Sequence, residues 1–394
     1  MRKKILFICE AMGGGVRKHV LDILLKLDLS RYQAFFIYND QRNCEVFRDH
    51  MDILRDRGIQ LYRVKELVRS MSVSQDWRAL LRVIRIIRQI QPDLIHCHSS
   101  KAGGIGRLAG KWCGIRTILY TPHAYAFQDE SLSRWKKQVY LTMERLLGRI
   151  TSLTINVSEG ERRFAQEHRL AAAANSVLIY NGIDPPRQRE RRGDEKVVIG
   201  TSARFDDQKD PWTFYKIAKA IVAEYDHVDF VYVGDGVYKQ DIGQAIAREG
   251  LSGRIHLAGF QKNVMDWIES FDIYMTTSLY EGLPYSLVEA LSFGKPIVAT
   301  DVTGNNEVVI DHYNGLLFEA KQAEQGVDRL KQLLDDPQRL RLYGERSRQL
   351  FKQHFTLDHM MRSLELAYEG RVPVNAPVTA SSAGELYFKS KRNA

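Results

Sequence analysis

The sequence predicts an α/β protein of two Rossmann-like domains, each a parallel sheet covered by helices. Three observations carry that prediction. The chain has 394 residues, enough for two cores at ~100–200 residues per domain. Short β-rich runs alternate with helical periodicities over residues 4–157, and again from residue 197 to 318. Between the two series a polar stretch, Pro185–Lys196, begins with two prolines and has no apolar period, so it reads as a linker. The expected boundaries are a first domain over 1–184, a linker over 185–196 and a second domain over 197–354. A helix over 355–370 closes the fold, and a tail over 371–394, rich in Pro, Ala, Ser and Gly, is expected to be disordered.

The elements follow in order. Lys4–Cys9 has a basic start like a signal peptide, but its apolar run is too short for that and Glu10 interrupts it, so it reads as the first strand. Further strands are expected at Tyr32–Tyr38, Ile59–Val64, Asp93–Cys97, Arg116–Tyr120 and Ser152–Val157. Helical periodicity marks Val16–Leu27, Trp77–Ile90 and Ile105–Trp112 between them. The second series reads as strands at Val197–Ser202, Phe230–Val233, Ile255–Leu257, Ile273–Thr277, Pro296–Thr300 and Gly315–Phe318. One helical stretch from about Lys321 to Tyr368 ends it. Within the tail, Glu385–Ser390 resembles a tag-protease site and is set aside from fold reasoning.

Composition bounds the function. Hydrophobic residues make up 44% and charged residues 27%, which excludes collagen-like, low-complexity and wholly disordered chains. No run approaches the ~18 apolar residues of a membrane span. Cys9, Cys44, Cys97 and Cys113 lack metal or redox spacing and read as reduced, mostly buried thiols of a cytosolic protein. The chain carries 57 Lys and Arg against 48 Asp and Glu, a net charge of +9 that calls for an anionic partner. Between Arg55 and Arg163 the count is 20 against 9, so the whole excess lies in the first half. Two helical stretches concentrate it. Trp77–Ile90 sets Arg78, Arg82, Arg85 and Arg88 on one stripe opposite Leu81, Ile84 and Ile87. Ser133–Arg149 interleaves Trp135, Tyr140 and Leu141 with Arg134, Lys136 and Lys137. Either stretch is a solvated surface helix or a basic amphipathic helix lying on an anionic membrane. No nucleic-acid-binding signature accompanies them, so no nucleic-acid partner is expected.

Two segments carry chemistry. The first strand-to-helix turn, Gly13-Gly14-Gly15, lets backbone N–H groups approach a phosphate at a helix start. It lacks the GxGxxG spacing and the acidic partner of a dinucleotide fold. The second segment runs from Glu281 to Thr300. There Gly282-Leu283-Pro284 turns into a helix that begins near Ser286 and carries Glu289. A helix start between two carboxylates can hold an anionic group while the carboxylates accept from hydroxyls, which suits a sugar diphosphate.

Here the chain resembles glycosyltransferase family 4, retaining enzymes of GT-B fold. The carriers are Glu281-x7-Glu289 in its GLPxSLxEALxxGxPxVAT setting, the Gly14-Gly15-Val16 turn, Thr121-Pro122-His123 and Tyr180–Asp184. Arg204 with Lys209, Gly234-Asp235-Gly236, and Gly304 with Glu307 complete it. His96–Gly103 and Tyr120–His123 are most similar to bacterial envelope or exopolysaccharide transferases. The resemblance implies two Rossmann-like domains facing each other across a cleft, with the C-terminal helix returning toward the first. It implies transfer of a sugar from a nucleotide-diphosphate donor, a UDP-sugar, to a hydroxyl of a lipid-linked saccharide.

It also implies roles. Arg204 and Lys209 neutralise the leaving diphosphate, the chief electrostatic demand of such a reaction. Glu289 binds the ribose hydroxyls, and Glu281 contacts the transferred sugar, orienting it rather than attacking it. Gly14, Gly15, Gly282, Leu283 and Pro284 complete the donor site, and His123 sits at the reacting centre. Apart from the resemblance, Lys101, which opens a helix, is read as meeting acceptor phosphate, and the basic Arg134, Lys136 and Lys137 as meeting an anionic membrane surface. His96 and His98 have His-x-His spacing, but no further ligand cluster and no DxD string appear, so neither a metal nor another cofactor is expected. Thr303–Glu307 departs from the family's GGxxE-type string, so only Gly304 and Glu307 carry over. The implied place of work is the cytoplasm, on the inner face of the membrane. A sugar-nucleotide epimerase, a non-catalytic sugar-nucleotide binder and a transferase with a soluble acceptor are the competing readings.

Overall fold

A computed structural model describes residues 2–39, 45–68, 72–125, 127, 132–186, 196–373 and 377–378. Cys44, most of the expected linker and nearly all of the expected tail lie outside the described residues. The chain divides into two compact units. The first comprises Met1–Tyr180 with Met360–Ala376, and the second is built from Asn181–His359. Asn181–Asp184, read from sequence as the end of the first domain, therefore belong to the second unit. Ile183 explains this, because it forms a parallel bridge with Thr356 and its N–H reaches the Phe355 carbonyl at 3.0 Å.

In chain order the first unit runs β1 (Lys3–Cys9), α1 (Gly14–Lys26), β2 (Tyr32–Tyr38), α2 (Glu45–Asp56), β3 (Gln60–Arg63) and α3 (Val73–Ile90). It continues with β4 (Leu94–His98), α4 (Ser100–Trp112), β5 (Thr117–Thr121), α5 (Arg134–Gly148), β6 (Leu153–Asn156), α6 (Glu159–Glu167) and β7 (Ser176–Leu178). These strands form a seven-stranded parallel sheet in the order β3-β2-β1-β4-β5-β6-β7. Ile5 to Cys9 are fully buried, as a strand covered on both faces requires. β1 to β3 step one way and β4 to β7 the other. Right-handed crossovers therefore put α1 and α2 on one face and α3 to α6 on the opposite face.

On α3 the four arginines are exposed as expected, but Leu81 is 46% exposed and not on the core side. The buried positions are Ala79, Val83, Ile84, Ile86, Ile87 and Ile90, so Ile84 and Ile87 of the expected apolar side do face the core. Leu81 stands two residues, roughly half a turn, from both Ala79 and Val83.

The second unit begins with β8 (Val197–Ser202), α7 (Pro211–Glu224), β9 (Val228–Val233), α8 (Lys239–Arg248), β10 (Ile255–Gly259) and α9 (Val264–Ser270). β11 (Ile273–Thr276), α10 (Tyr285–Ser292), β12 (Ile297–Thr300), α11 (Asn305–Val308) and β13 (Gly315–Phe318) follow. Its six strands are also parallel, in the order β10-β9-β8-β11-β12-β13. The single helical stretch expected over 321–368 is three helices: α12 (Ala323–Leu334), α13 (Pro337–His354) and α14 (Leu357–Tyr368). Asp336 and Pro337 make the first break. The Asp336 carboxylate caps α13 by accepting from the Arg339 N–H at 2.9 Å, and proline suits a first helical position.

From Met360 onward α14 is part of the first unit. The Tyr368 hydroxyl lies 2.9 Å from His96 Nδ1, Lys3 donates to the Tyr368 carbonyl, and Arg31 pairs with Glu365 at 2.8 Å. In both sheets the strand order reverses once, between β1 and β4 and between β8 and β11. Ligands of open α/β sheets bind beyond the C-terminal strand ends at such a reversal.

Candidate active site

In the second unit the reversal brings together two loops, 203–210 after β8 and 277–284 after β11. Backbone and side-chain bonds join them. The Leu279 N–H donates to the Gln208 carbonyl at 2.8 Å, and Gln208 Nε2 donates to the Tyr280 carbonyl at 2.9 Å. Thr277 Oγ1 donates to the carbonyls of Lys209 and Asp210, each at 2.9 Å. Lys209 and Glu281 thereby meet, 72 residues apart in sequence, and their side chains form an ion pair. Both are largely shielded, so water screens the pair weakly.

Arg204 stands more open at the same loop. Its guanidinium holds Asp206 at 2.8 Å and Gln208 Oε1 at 3.0 Å. The Asp206 carboxylate also accepts from the Lys209 N–H, and that fixes the turn carrying both cations.

α10 starts at the same place. Pro284 is its N-cap, no side chain caps it, and Ser286 sits in its first turn. Glu289 is one turn further along and buried. Leu283 is buried, and its carbonyl accepts from Asn181 Nδ2 at 3.1 Å. Gly304 has φ +84°, and a Cβ there would run into the Gly282 carbonyl oxygen. A glycine is therefore required where the loop after β12 touches the Glu281–Gly282 turn.

In the first unit the reversal lies between β1 and β4, whose ends pair Cys9 with His98, and His98 pairs onward with Thr121 of β5. Beyond these ends sit the glycine turn and a group of histidines. Gly13 and Gly14 are exposed, a Cβ on either would meet open space, and Gly14 holds φ +60°. Gly15 follows, exposed, in the first turn of α1. His19 of α1, His98 and His123 converge, with His98 Nδ1 3.3 Å from His123 Nε2. The His19 and His123 rings lie 4.6 Å apart edge to face.

Burial first, and neighbouring histidines second, push the imidazoles of His98 and His123 well below the ordinary 6.5, so both are neutral. His96 differs. It is fully buried, with Nδ1 against Tyr368 and Nε2 2.9 Å from Thr121 Oγ1, so it is a core residue that seats α14. Among the described residues one histidine, cysteine or carboxylate group has its ligand atoms close enough to hold a metal ion. It is His19, His98 and His123, within 4.8 Å of one another.

The backbone is strained here: Ser99 has φ +69°, His123 +55° and Ala124 +77°, values that non-glycine residues rarely adopt. Two buried glutamates hold these turns. Glu161 of α6 accepts from the Ala124 N–H at 2.6 Å and from the Val157 N–H at 2.9 Å. Glu10 accepts from the Ser99 hydroxyl and, at 3.0 Å, from the Ala102 N–H. Burial raises the Glu10 carboxyl pKa above its usual 4.5.

The sequence reading passed over His19, Glu161 and Glu10. His19 sits five residues into α1, Glu161 is hidden in a run of Glu and Arg, and Glu10 served only to end a strand. No spacing rule flags them, because tertiary contacts bring them in. Lys101, assigned to acceptor phosphate, pairs with Asp76 at 2.5 Å and ties α4 to α3. Arg134 and Lys136 are exposed at the start of α5, and Lys137 is half-buried. Cys9 and Cys97 are buried free thiols, and burial pushes the Cys97 pKa up to about 12. Among the described residues no helix is long and apolar enough to cross a membrane.

Comparison with known proteins gives the family and the fold. The family described as glycosyl transferases group 1 matches residues 183–350, and the glycosyl transferase 4-like domain matches residues 14–182. The chain belongs to the group 1 glycosyltransferases of family 4 type, and its fold is GT-B. It is 27% identical over 296 residues to the Escherichia coli UDP-Gal:alpha-D-GlcNAc-diphosphoundecaprenol alpha-1,3-galactosyltransferase, covering 71% of this chain and 76% of that protein. It is 24% identical over 307 residues to the Campylobacter jejuni N,N'-diacetylbacillosaminyl-diphospho-undecaprenol alpha-1,3-N-acetylgalactosaminyltransferase, covering 73% and 80%. Among solved structures, Anabaena HepE in complex with UDP and glucose superposes with TM-score 0.78 at 21% identity, covering 94% of this chain and all of that one.

Proposed function

We propose that this glycosyltransferase is a retaining, metal-independent enzyme using a UDP-sugar. It extends a saccharide held on a lipid diphosphate, in cell-envelope or exopolysaccharide synthesis at the inner face of the membrane. One observation carries the reading. The two loops at the second unit's strand reversal gather Arg204, Lys209 and Glu281 around the uncapped start of α10. Two cations and a helix start suit a diphosphate, and the carboxylates Glu281 and Glu289 suit hydroxyls. The relatives from Escherichia coli and Campylobacter jejuni, both named for transfer onto a diphospho-undecaprenol acceptor, support the acceptor class.

In the proposed reaction the bond from the sugar C1 to the diphosphate oxygen breaks, and its electron pair leaves with the diphosphate. The acceptor hydroxyl forms the new bond to C1 on the same face and passes its proton to the departing phosphate oxygen. Arg204 and Lys209 neutralise the charge that builds on the diphosphate. Glu281 orients the sugar. A carboxylate bound by an ammonium is a poor nucleophile, so its pairing with Lys209 favours orientation over covalent attack. His123, neutral and set by its neighbours, offers a ring nitrogen to a sugar hydroxyl in this scheme.

The test is incubation with a panel of labelled nucleotide sugars and lipid-linked acceptors. The expected result is acceptor-dependent release of nucleoside diphosphate with the product linkage keeping the donor's anomeric configuration. Conversion of the sugar nucleotide without any acceptor would favour the epimerase reading, and a covalent glycosyl–Glu281 adduct in the native protein would overturn the same-face step.

A further inference from the structure

Among the described residues fourteen large apolar side chains are exposed, and nine of them lie on three helices of the first unit. On α3, Val73, Trp77 and Leu81 recur every four residues, and on α4 Leu108 and Trp112 do the same. On α5, Trp135, Val139 and Met143 repeat the spacing and Leu146 continues it. Four-residue spacing keeps each set on one side of its helix. The three helices lie side by side on one face of the sheet, α4 packed against both α3 and α5. Their outward sides therefore form one apolar band. A buried ion pair holds two of them in place: Arg107 of α4 meets Glu144 of α5 at 2.8 Å, with Tyr120 Oη donating to the same carboxylate.

The charge on these helices has one sign. They carry eleven Lys and Arg and two acids. Both acids are already engaged, Asp76 by Lys101 and Glu144 by Arg107. Arg82 is paired with Glu66 at 2.8 Å, and the remaining outward side chains are cationic, apolar or neutral polar, with no unpaired acid among them. Three tryptophans, Trp77, Trp112 and Trp135, are 53%, 63% and 66% exposed, the placement favoured at a membrane–water boundary. A second copy of this chain fits poorly, since a two-fold contact would press arginines and lysines against their own kind.

From this we infer that the outer face of α3, α4 and α5 is the surface that seats on an anionic lipid bilayer. Trp77, Trp112 and Trp135 enter the headgroup boundary, and the surrounding Arg and Lys meet lipid phosphates. The inference rests on the membrane-held acceptor proposed above. It joins the two basic stretches marked in the sequence, now α3 and α5, through α4 into one face, the tryptophans of α3 and α4 lying 35 residues apart in sequence.

The experiment compares the full chain with a Trp77→Ser, Trp112→Ser, Trp135→Ser variant in co-sedimentation with phosphatidylglycerol-containing vesicles and with phosphatidylcholine vesicles. The native chain is expected to bind the anionic vesicles and to lose binding as salt rises. The variant should bind at least about tenfold more weakly. Its turnover of a short-chain, detergent-soluble acceptor should be unchanged, which reports a folded enzyme. Independently, native tryptophan emission should shift to the blue on the anionic vesicles and be quenched by brominated lipid. Equal vesicle binding by the variant, or a native dimer that the variant makes monomeric, overturns the inference. Vesicle binding through this face with no transfer to any lipid-linked acceptor instead removes the acceptor reading and leaves the face intact.

Discussion

The two units share one sheet design and furnish its switch point in opposite ways. In the second unit the site is made of charges held by other charges: Lys209 by Glu281, Arg204 by Asp206, on loops joined by hydrogen bonds. In the first unit it is made of neutral imidazoles, His98 buried and His123 half-buried, kept against strained turns by Glu161 and Glu10. In the function proposed above, the difference matches two kinds of ligand. A diphosphate needs preset positive charge, whereas a sugar and its acceptor hydroxyl need oriented neutral hydrogen-bonding groups.

The largest effect expected of this contrast is in the second unit. Lys209→Ala should lower transfer by roughly 10²–10³-fold, the usual loss for one preorganised group facing transition-state charge, measured as nucleoside diphosphate release under donor saturation. A loss confined to donor affinity would place Lys209 in ground-state binding only. In the first unit, Glu161→Gln keeps the shape but weakens the grip on the Ala124 and Val157 amides. Turnover should fall about tenfold, in line with a mispositioned catalytic group, while UDP affinity by calorimetry stays the same. Equal damage to UDP affinity would erase the division of labour.

Acid should separate the units next. Burial holds His96, His98 and His123 well below the ordinary 6.5, so they stay neutral in the fold while the unfolded chain takes up protons. Their contribution is fully present above the unfolded value and is lost as pH falls below it, by at most about 1.4 kcal/mol per pH unit for each histidine. The second unit has a comparable group in His354, lowered to about 4. Hydrogen exchange followed from about pH 7 to about pH 5 should show the first unit opening first. Simultaneous opening would mean the histidine cluster is not what sets acid sensitivity.

A smaller change is expected when Arg134, Lys136 and Lys137 are all replaced by glutamine. Binding to anionic vesicles should drop several-fold at low salt, since fewer basic residues are left to attract anionic lipid, with nucleotide affinity unaltered. The smallest expected effect is none at all. Dialysis against a chelator should leave the transfer rate unchanged, and a loss restored by zinc would make His19, His98 and His123 a metal site.

Much of this molecule is legible in its sequence. Strands such as Tyr32–Tyr38, Val197–Ser202 and Gly315–Phe318 occur at the residues their apolar runs mark, because a strand buried on both faces needs a mostly apolar sequence. The Glu281–Glu289 segment could be read because a turn, a helix start and two carboxylates lie within a few residues of one another. Less regular elements were missed: β7 has three residues, and α2 lies in a segment whose polar residues outnumber its apolar ones.

What the sequence determined by itself was therefore local: the alternation, the pattern around Glu281 and the surplus of positive charge before Arg163. Only the tertiary structure decided which residues meet. Strand order put His19, His98 and His123 together, set Glu161 behind them, gave Lys209 to Glu281, and aligned tryptophans of three separate helices on one face. The reason is physical. Periodicity reports how a segment divides between core and solvent, while sheet order and crossover hand, which no single segment encodes, bring distant strand ends side by side.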